Sequence, residues 1–375
     1  MRIAYVAPRY APFIGGVELH VSRLASCMAA LGHEVEVWVQ EPVRLLPPVE
    51  TVDGVTVRRF PLLLPSAVYA LAPALWMHLR RHGQGYHVVH AHGYHALPAL
   101  GAALSPCRSL VFTPHYHGGG HTPVRRLLHH PYRVAGRHIL RRARHVICVS
   151  RAEARLVRAH FPPAAGRLRV IPNGVDTEGL RQARPYPDAG AVFLCVGRLE
   201  RYKNVGLAIR AMALLDAPAT LCVIGDGPQG PALRRLAARL GLRDRVRFLG
   251  HVPEQDLWRW YRTASVLIAL SRHEAFGLTP REALAAGAAV VASDIPAHQD
   301  LGDLGGLGDV EQPGRLTPDA LRLLSPDVAP AIVAAALRDL ARVRATCACA
   351  PPIPPGILSW DDVAARTAAL YQDYL

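Results

Sequence analysis

Short, almost continuously apolar runs alternate with stretches of helical periodicity along the whole 375-residue chain. Runs that are apolar on both faces are typical of parallel strands buried between two layers of helices. The pattern therefore predicts a doubly wound α/β architecture. The predicted strands are 3–7, 35–39, 55–60, 88–92, 110–113, 146–149 and 168–171 in the first half, and 192–196, 221–224, 246–249, 266–270 and 289–292 in the second.

The alternation pauses once, in a polar and proline-rich stretch at residues 173–190. We predict two Rossmann-like domains on either side of it, an N-terminal domain at 1–175 and a C-terminal domain at 176–358, facing each other across a cleft. Residues 359–375 are expected to form a final helix that packs back on the N-terminal domain. Ligands of such sheets bind beyond the carboxyl ends of the strands, so those ends are where functional side chains are expected.

The composition of the chain restricts the classes of partner that the protein is expected to bind. The chain is 50% hydrophobic and 19% charged, with a formal net charge of +14, which indicates a globular protein with acidic partners. Nucleic acid, anionic lipid and phosphorylated small molecules would all fit. The sequence contains no helix-turn-helix, RNA-recognition or finger signature, so no nucleic acid is expected. Seven scattered cysteines, several of them inside apolar runs, suggest reduced thiols and a cytoplasmic location.

One basic and apolar stretch, residues 124–144, has two interpretations. It could lie on an anionic membrane, which would make the protein peripheral on the inner face of the cell membrane. It could equally be a crossover helix with one buried face and one solvated basic face.

The only lysine of the chain, among 43 Lys and Arg residues, is Lys203. It follows the strand predicted at 192–196, five residues after Arg198. An arginine fork and a compact ammonium beyond the same strand form a plausible clamp for a phosphate-bearing ligand. A solvated surface lysine is the alternative.

A second set of polar residues follows the strand predicted at 266–270. Thr279 is expected to cap the next helix and Pro280 to take its first position. Glu274 would then lie in the loop and Glu282 in the first turn, where a carboxylate also stabilises the helix dipole. Free backbone N–H groups at this helix start could bind an anion.

The segment 225–230 matches the glycine pattern of dinucleotide-binding folds. That reading requires an acidic residue after the next strand, and the strand at 246–249 is followed by Gly250 and His251 instead. Pro228 also removes an N–H that a phosphate would use. Dinucleotide binding is therefore disfavoured.

Taken together, these signatures resemble the retaining glycosyltransferases of family 4, which have the GT-B architecture. The similarity covers about residues 1–300 and 357–375. Its ordered motifs are Gly15-Gly16-Val17-Glu18, Thr113-Pro114-His115, Gly197-Arg198 with Lys203, Gly225-Asp226-Gly227-Pro228, the pair Glu274 and Glu282, and Ser359-Trp360 with Tyr371.

The resemblance implies a catalytic set of four residues. Arg198 and Lys203 would hold the diphosphate of a nucleotide-sugar donor, Glu274 would contact the donor sugar, and His115 would reach the sugar near the reacting carbon. His117 and His121 lie in the same loop, so the catalytic histidine could be misplaced by two residues.

The same resemblance implies the donor-binding residues. Glu282 would bind the ribose hydroxyls, and Val252 would line the nucleobase pocket. Gly16 would let a loop approach the diphosphate. The backbone at Phe276, Gly277 and Leu278 would complete the site.

These expectations define an enzyme that moves a sugar from a nucleotide-diphosphate sugar to an acceptor hydroxyl, with retention of configuration, in cell-envelope polysaccharide, glycolipid or other glycoconjugate synthesis. The acceptor could be lipid-linked. No metal site and no cofactor are expected, since a cationic clamp replaces the metal. A non-catalytic nucleotide-sugar-binding module, or another GT-B enzyme such as an epimerase, is the alternative.

Overall fold

The structure is a computed structural model of the 375-residue chain. The described residues are 1–13, 15–41, 46–63, 70–95, 97–116, 118, 123–187, 190–216, 218–302, 319–346, 352–354 and 356–374. Side chains are described throughout these ranges except at 123–131 and 345–346.

The chain forms two compact units, Met1–Gly174 with Trp360–Leu375, and Val175–Ser359. Each is an α/β unit built on one twisted, mostly parallel sheet, as the apolar runs predict. The unit boundaries lie one residue from those expected. The segment 173–190 is not a plain linker, because Asp176 caps a short helix there by accepting a hydrogen bond from the Gly179 N–H at 2.8 Å.

The first unit contains an eight-stranded sheet in the order β3-β4-β2-β1-β5-β6-β7-β8. All neighbours are parallel except β3 and β4. The strands are β1 Arg2–Ala7, β2 Glu34–Glu41, β3 Val49–Val52, β4 Val55–Pro61, β5 Val88–His92, β6 Leu110–Thr113, β7 His145–Cys148 and β8 Leu168–Val170.

The helices of this unit occupy the crossovers between parallel strands, as parallel pairing requires. They are α1 Gly16–Ala30, α2 Pro73–His82, α3 Leu97–Leu104, α4 Pro123–Arg142 and α5 Arg151–His160, together with 3₁₀ turns at Gly83–Gly85 and Pro162–Arg167.

The C-terminal helix, α13 Trp360–Gln372, belongs to the first unit. Its Tyr371 is fully buried, and the hydroxyl lies 2.6 Å from Nδ1 of His90 on β5 and donates to the Tyr5 hydroxyl at 3.4 Å. The chain therefore returns to its first sheet after completing the second unit.

The second unit contains a six-stranded parallel sheet in the order β11-β10-β9-β12-β13-β14. Its strands are β9 Ala191–Val196, β10 Ala219–Ile224, β11 Val246–Gly250, β12 Val266–Ala269, β13 Ala289–Ser293 and β14 Leu321–Leu324. Its helices are α6 Thr177–Gln182, α7 Val205–Met212, α8 Gly230–Arg239, α9 Glu254–Thr263, α10 Leu278–Ala285, α11 Pro296–Gly302 and α12 Pro330–Thr346, with a 3₁₀ turn at Arg201–Lys203.

Both faces of the second sheet are covered by apolar side chains. One cluster contains Leu221 and Val291, and the other contains Leu194 and Val290. Each buried aliphatic side chain of this kind contributes about 1.5–3 kcal/mol. Burial on both faces explains why these strands are almost purely apolar.

The strand order reverses between β1 and β5 in the first unit and between β9 and β12 in the second. Loops leave the sheet in opposite directions at such a point, which opens a crevice at its carboxyl edge. The candidate site residues follow these strands and their neighbours.

Candidate active site

The first part of the candidate site is the loop after β9. Gly197 takes φ +133°, a conformation that L side chains rarely adopt, and turns the chain out of the strand. Arg198 follows with an exposed side chain, and its guanidinium has no hydrogen-bond or ion-pair partner among the described residues. Lys203 is the last residue of the 3₁₀ turn. Asn204, whose backbone lies in the left-handed region, is the N-cap of α7.

The glycine motif at residues 225–230 supports this loop. A Cβ on Gly225 would lie 2.2 Å from the Gly197 carbonyl oxygen, and one on Gly227 would lie 2.7 Å from the Leu199 backbone. The Leu199 N–H donates to the Asp226 carbonyl at 2.9 Å. The glycines therefore allow two backbones to pack directly and hold the Arg198 loop in place.

Lys203 and Glu274 form an ion pair with 2.5 Å between Nζ and Oε1. Burial opposes ionisation of Glu274, but the Lys203 charge and the hydrogen bonds from Lys203 and Ser271 outweigh it, so its pKa lies below the ordinary value. The Glu274 carboxyl group is therefore ionised at neutral pH. The pair joins the loops after β9 and β12, two neighbouring strands at the reversal of strand order.

A pocket opens beside Lys203. Its lining includes Arg198, Lys203, Ser271 and Thr279. Residues of β9, β10 and β12, such as Ile224, also line it. A small anionic ligand would meet two cations and two hydroxyl groups here.

The helix after Glu274 begins earlier than expected. Gly277, at φ +77°, is the N-cap, and α10 starts at Leu278, so Thr279 is not the cap and Pro280 is the third helical residue. Pro is tolerated there because the first four helical N–H groups have no partner within the helix. Glu282 consequently lies in the second turn, which corrects its expected place in the first.

The loop at Phe276 and Gly277 is held from beneath by Arg281, whose side chain is almost completely buried. Its guanidinium donates to the carbonyl oxygens of both residues and stacks 3.7 Å from the Phe276 ring centroid. Burial lowers the pKa of Arg281 to about 9, and Asp300 opposes that shift. The backbone at Phe276, Gly277 and Leu278 is thus rigidly placed.

Glu282 accepts a 2.6 Å hydrogen bond from the hydroxyl of Tyr261, a fully buried residue of α9. This bond orients the carboxylate. Val252 lies partly buried in the loop between β11 and α9, packed on the cluster that contains Tyr261. Neither residue lines the pocket described above.

His298 also contacts this part of the site. Its ring is buried, Nδ1 lies 2.9 Å from the Ser293 carbonyl oxygen, and a Cβ on Gly277 would lie 3.2 Å from Nε2. Burial lowers the pKa of His298 to about 4 despite the neighbouring Glu274 charge. A neutral imidazole therefore packs beneath the Gly277 turn.

Two expected site residues, Gly16 and His115, lie in the first unit. Gly16 is the exposed first residue of α1, and a Cβ there would meet no protein atom within 4 Å. Packing against the described residues therefore does not require a glycine at this position. His115 follows β6 with φ +49°, an uncommon conformation for a residue with a side chain.

Glu153 of α5 holds the backbone beside His115. It is buried, and its two carboxylate oxygens accept from the Tyr116 N–H at 2.5 Å and the Val149 N–H at 2.6 Å. Burial raises the pKa of Glu153 to about 8, and the two backbone hydrogen bonds oppose that rise. The carboxyl group thus joins the ends of two neighbouring strands.

His115 belongs to a histidine cluster with His20 of α1 and His92 at the end of β5. Their ligand nitrogens all lie within 4.8 Å of one another. Burial and the neighbouring imidazoles hold the pKa of His92 and His115 well below the ordinary value, and burial lowers that of His20 to about 4. The three rings are therefore neutral at physiological pH.

The remaining predictions for the first unit are tested only in part. His117 and His121 lie outside the described residues. Of the stretch 124–144, the described side chains show Tyr132 and Ile139 buried and Arg137 and Arg141 exposed, as expected of an amphipathic crossover helix. Within the described ranges, no helix is long and apolar enough to span a bilayer.

Comparison with known proteins decides the family. A family model described as Glycosyltransferase Family 4 matches residues 14–179, and one described as Glycosyl transferases group 1 matches residues 176–312. A D-inositol 3-phosphate glycosyltransferase from Catenulispora acidiphila is 31% identical over 318 residues, which cover 76% of each chain.

The chain belongs to glycosyltransferase family 4.

Other glycosyltransferases agree. A GDP-mannose:cellobiosyl-diphosphopolyprenol alpha-mannosyltransferase from Komagataeibacter xylinus is 29% identical over 387 residues, covering 100% of this chain and 94% of that one. The sucrose-phosphate synthase of Thermosynechococcus elongatus superposes with a TM-score of 0.77 at 23% identity, over 99% of this chain and 98% of the other. The GT-B fold and the glycosyltransferase class are thereby confirmed.

The fold is shared with the Anabaena protein HepE, in a structure with bound UDP-glucose. That chain superposes with a TM-score of 0.74 at 17% identity, and both chains are covered completely. At 17% identity this similarity establishes the fold of the chain but not its substrates.

Sequence reasoning missed several residues that shape the glycosyltransferase site. Glu153, Arg281 and His298 act on loops through contacts that only the folded chain shows. Of the histidine cluster, His92 could have been found from the sequence, since His90-Ala91-His92 places two imidazoles on one face at the end of a buried strand.

Proposed function

We propose that this glycosyltransferase transfers a sugar from a nucleotide-diphosphate sugar to an acceptor hydroxyl with retention of configuration. The observation that carries the proposal is the pocket at the end of β9, which is lined by Arg198 and by Lys203, the partner of Glu274. A donor diphosphate fits this arrangement, because a fork and a point charge can bind adjacent phosphate groups.

The chemistry follows from where charge develops. As the bond between the anomeric carbon and the diphosphate oxygen breaks, negative charge grows on the leaving group. Arg198, Lys203 and the amino end of α10 would stabilise that charge more strongly in the transition state than in the ground state. Glu274 shares Lys203 with the diphosphate and would orient the sugar hydroxyl groups.

In the proposed retaining reaction the acceptor oxygen bonds to the anomeric carbon on the face from which the diphosphate leaves. The acceptor proton passes to an oxygen of the departing diphosphate. His115 would act on the donor sugar, and Glu282, oriented by Tyr261, would bind the ribose. No metal ion is needed for this charge balance.

We further propose a lipid-linked or membrane-proximal acceptor used in cell-envelope glycoconjugate synthesis. Support comes from the Komagataeibacter relative, whose name specifies a polyprenol-linked acceptor, and from the exposed arginines of α4. The protein would then work on the cytoplasmic face of a membrane.

A panel of nucleotide sugars, assayed for release of nucleoside diphosphate with and without lipid-linked saccharide, tests the proposal. We expect one donor to be turned over and the transfer product, examined by NMR, to keep the anomeric configuration of the donor. Donor binding without turnover would favour a non-catalytic binding module. Interconversion of free nucleotide sugars would favour an epimerase.

A further inference from the structure

The histidine cluster of the first unit has the composition of a metal site. His20, His92 and His115 come from α1, β5 and the loop after β6, and their ligand nitrogens lie within 4.8 Å of one another. His92 Nδ1 and His115 Nε2 are 3.4 Å apart. Two nitrogens bound to one zinc ion at 2.0–2.1 Å in tetrahedral geometry are separated by about this distance.

His20 is held in the form that a metal requires. Its Nδ1 lies 2.8 Å from the side-chain oxygen of Asn173, so Nδ1 carries the ring proton. Nε2 then presents a lone pair, and it is buried with no hydrogen-bond partner in the part of the chain that the structure describes. A ring N–H donated to a second residue is the arrangement that orients metal-binding histidines.

A comparison within the same strand separates this cluster from ordinary buried histidines. Both ring nitrogens of His90 are satisfied, by the Tyr371 hydroxyl at 2.6 Å and by the Thr113 hydroxyl at 2.8 Å. His92, two residues later, is equally buried, and its Nδ1 faces His115 Nε2 at 3.4 Å instead of a hydroxyl group. An unsatisfied buried nitrogen such as His20 Nε2 is costly, and a bound cation would satisfy it.

We propose that His20, His92 and His115 bind a first-row transition-metal ion of the zinc type, which inhibits sugar transfer by occupying His115. Three imidazoles with no carboxylate favour zinc, cobalt or copper over magnesium or calcium. With His20 still held by Asn173, small shifts of the three rings would bring the third nitrogen into range, and a water molecule would complete the shell. The inhibition rests on the proposed function, whereas the binding of the metal ion does not.

Cobalt(II) is the probe for binding, because its visible absorption reports coordination by nitrogen without any assay of activity. We expect one cobalt ion per chain, displaced by zinc. Affinity should fall by about tenfold or more in His20→Gln and in His92→Gln. Circular dichroism would show whether each variant is folded. If His92→Gln does not fold, the test rests on His20→Gln.

His82→Ala is the matched control. His78 and His82 lie one turn apart on α2 with ring centroids 4.4 Å apart, so they form a two-histidine pair in which His82 is exposed and His78 is partly buried. Cobalt absorption that disappears in His82→Ala and persists in His20→Gln would mean an adventitious ion only and would overturn the proposal. Absence of absorption in the wild-type protein would overturn it as well.

Inhibition is measured separately as nucleoside diphosphate release at increasing zinc concentration. We expect zinc to inhibit the wild-type enzyme, EDTA to restore it, and His20→Gln to need about tenfold more zinc. Cobalt binding without inhibition by zinc would contradict the inhibitory role. Cobalt binding by a protein with no transfer activity would instead count against the proposed function and leave the metal site standing.

Discussion

Lys203 Nζ lies 2.5 Å from Glu274 Oε1, and each side chain is only 19% exposed. This contact joins the loops that follow two adjacent strands of the second sheet. The only lysine of the chain is therefore already neutralised by a carboxylate before any donor binds. A donor diphosphate would have to share that ammonium with Glu274, which couples phosphate binding to placement of the sugar.

Replacing Lys203 with alanine tests the ammonium. We expect Lys203→Ala to lower kcat by about 10²–10³, since one charge that stabilises the leaving group is lost. Lys203→Arg should recover only part of the activity, because a planar fork does not superpose on a point charge. Turnover and thermal midpoint are measured together. Arg201→Ala, which removes an exposed cation from the same turn, is the control and should keep its activity. Full turnover in Lys203→Ala would exclude Lys203 from the site.

The pH dependence of stability tests the ion pair. The folded pKa of Glu274 is depressed, so its contribution to stability is complete above the unfolded pKa and is lost as the pH falls through the folded value. Glu274→Gln should therefore flatten the acid side of a plot of thermal midpoint against pH. Identical acid slopes for the two proteins would show that the pair does not contribute.

Glu153 should be required for the geometry beside His115. Glu153→Ala leaves the buried N–H groups of Tyr116 and Val149 without acceptors, at a cost of about 1–3 kcal/mol each. We expect a lower denaturation midpoint in urea and reduced turnover, with donor affinity changed less than kcat. Glu178→Ala, which removes an exposed carboxylate from a surface pair with Arg181, is the control. Unchanged stability of Glu153→Ala would contradict the assigned role.

The exposed face of α4 should mediate attraction to anionic membranes. Each basic residue near such a surface contributes about 1 kcal/mol, and the attraction is screened by salt. We expect binding to anionic liposomes at low salt that is weakened in Arg137→Glu/Arg141→Glu. The control is Arg235→Glu/Arg239→Glu, the same charge change at the same spacing on α8, where both residues are also exposed. Equal loss in both double variants would reflect net charge alone.

Much of the fold could be predicted because strands buried on both faces are almost purely apolar. The strands that were missed, β3 and β14, lie at sheet edges, where Glu50 and Arg322 interrupt the pattern. Edge strands need not be apolar on both faces, so hydrophobic runs can miss them, although they did predict the edge strands β8 and β11.

The cationic loop and Glu274 could also be predicted, because parallel strands bring the residues that follow them to one edge. The contacts of His20 and Glu153 could not. His20 and Asn173 are 153 residues apart in sequence, and Tyr116 and Glu153 are 37 apart. Such pairings depend on side-chain packing, which periodicity does not encode. The predicted start of α10 was wrong by two residues, because Gly277 caps the helix through its backbone conformation.

The central claim is that Arg198 and Lys203 stabilise a departing diphosphate without a metal ion. Release of nucleoside diphosphate from the preferred nucleotide sugar, measured in EDTA for the wild-type enzyme and for Arg198→Ala, tests it most directly. We expect full turnover of the wild type in EDTA and a loss of about 10²–10³ in Arg198→Ala with the fold intact. Loss of wild-type turnover in EDTA that magnesium or manganese restores, or equal turnover of the two proteins, would contradict the claim.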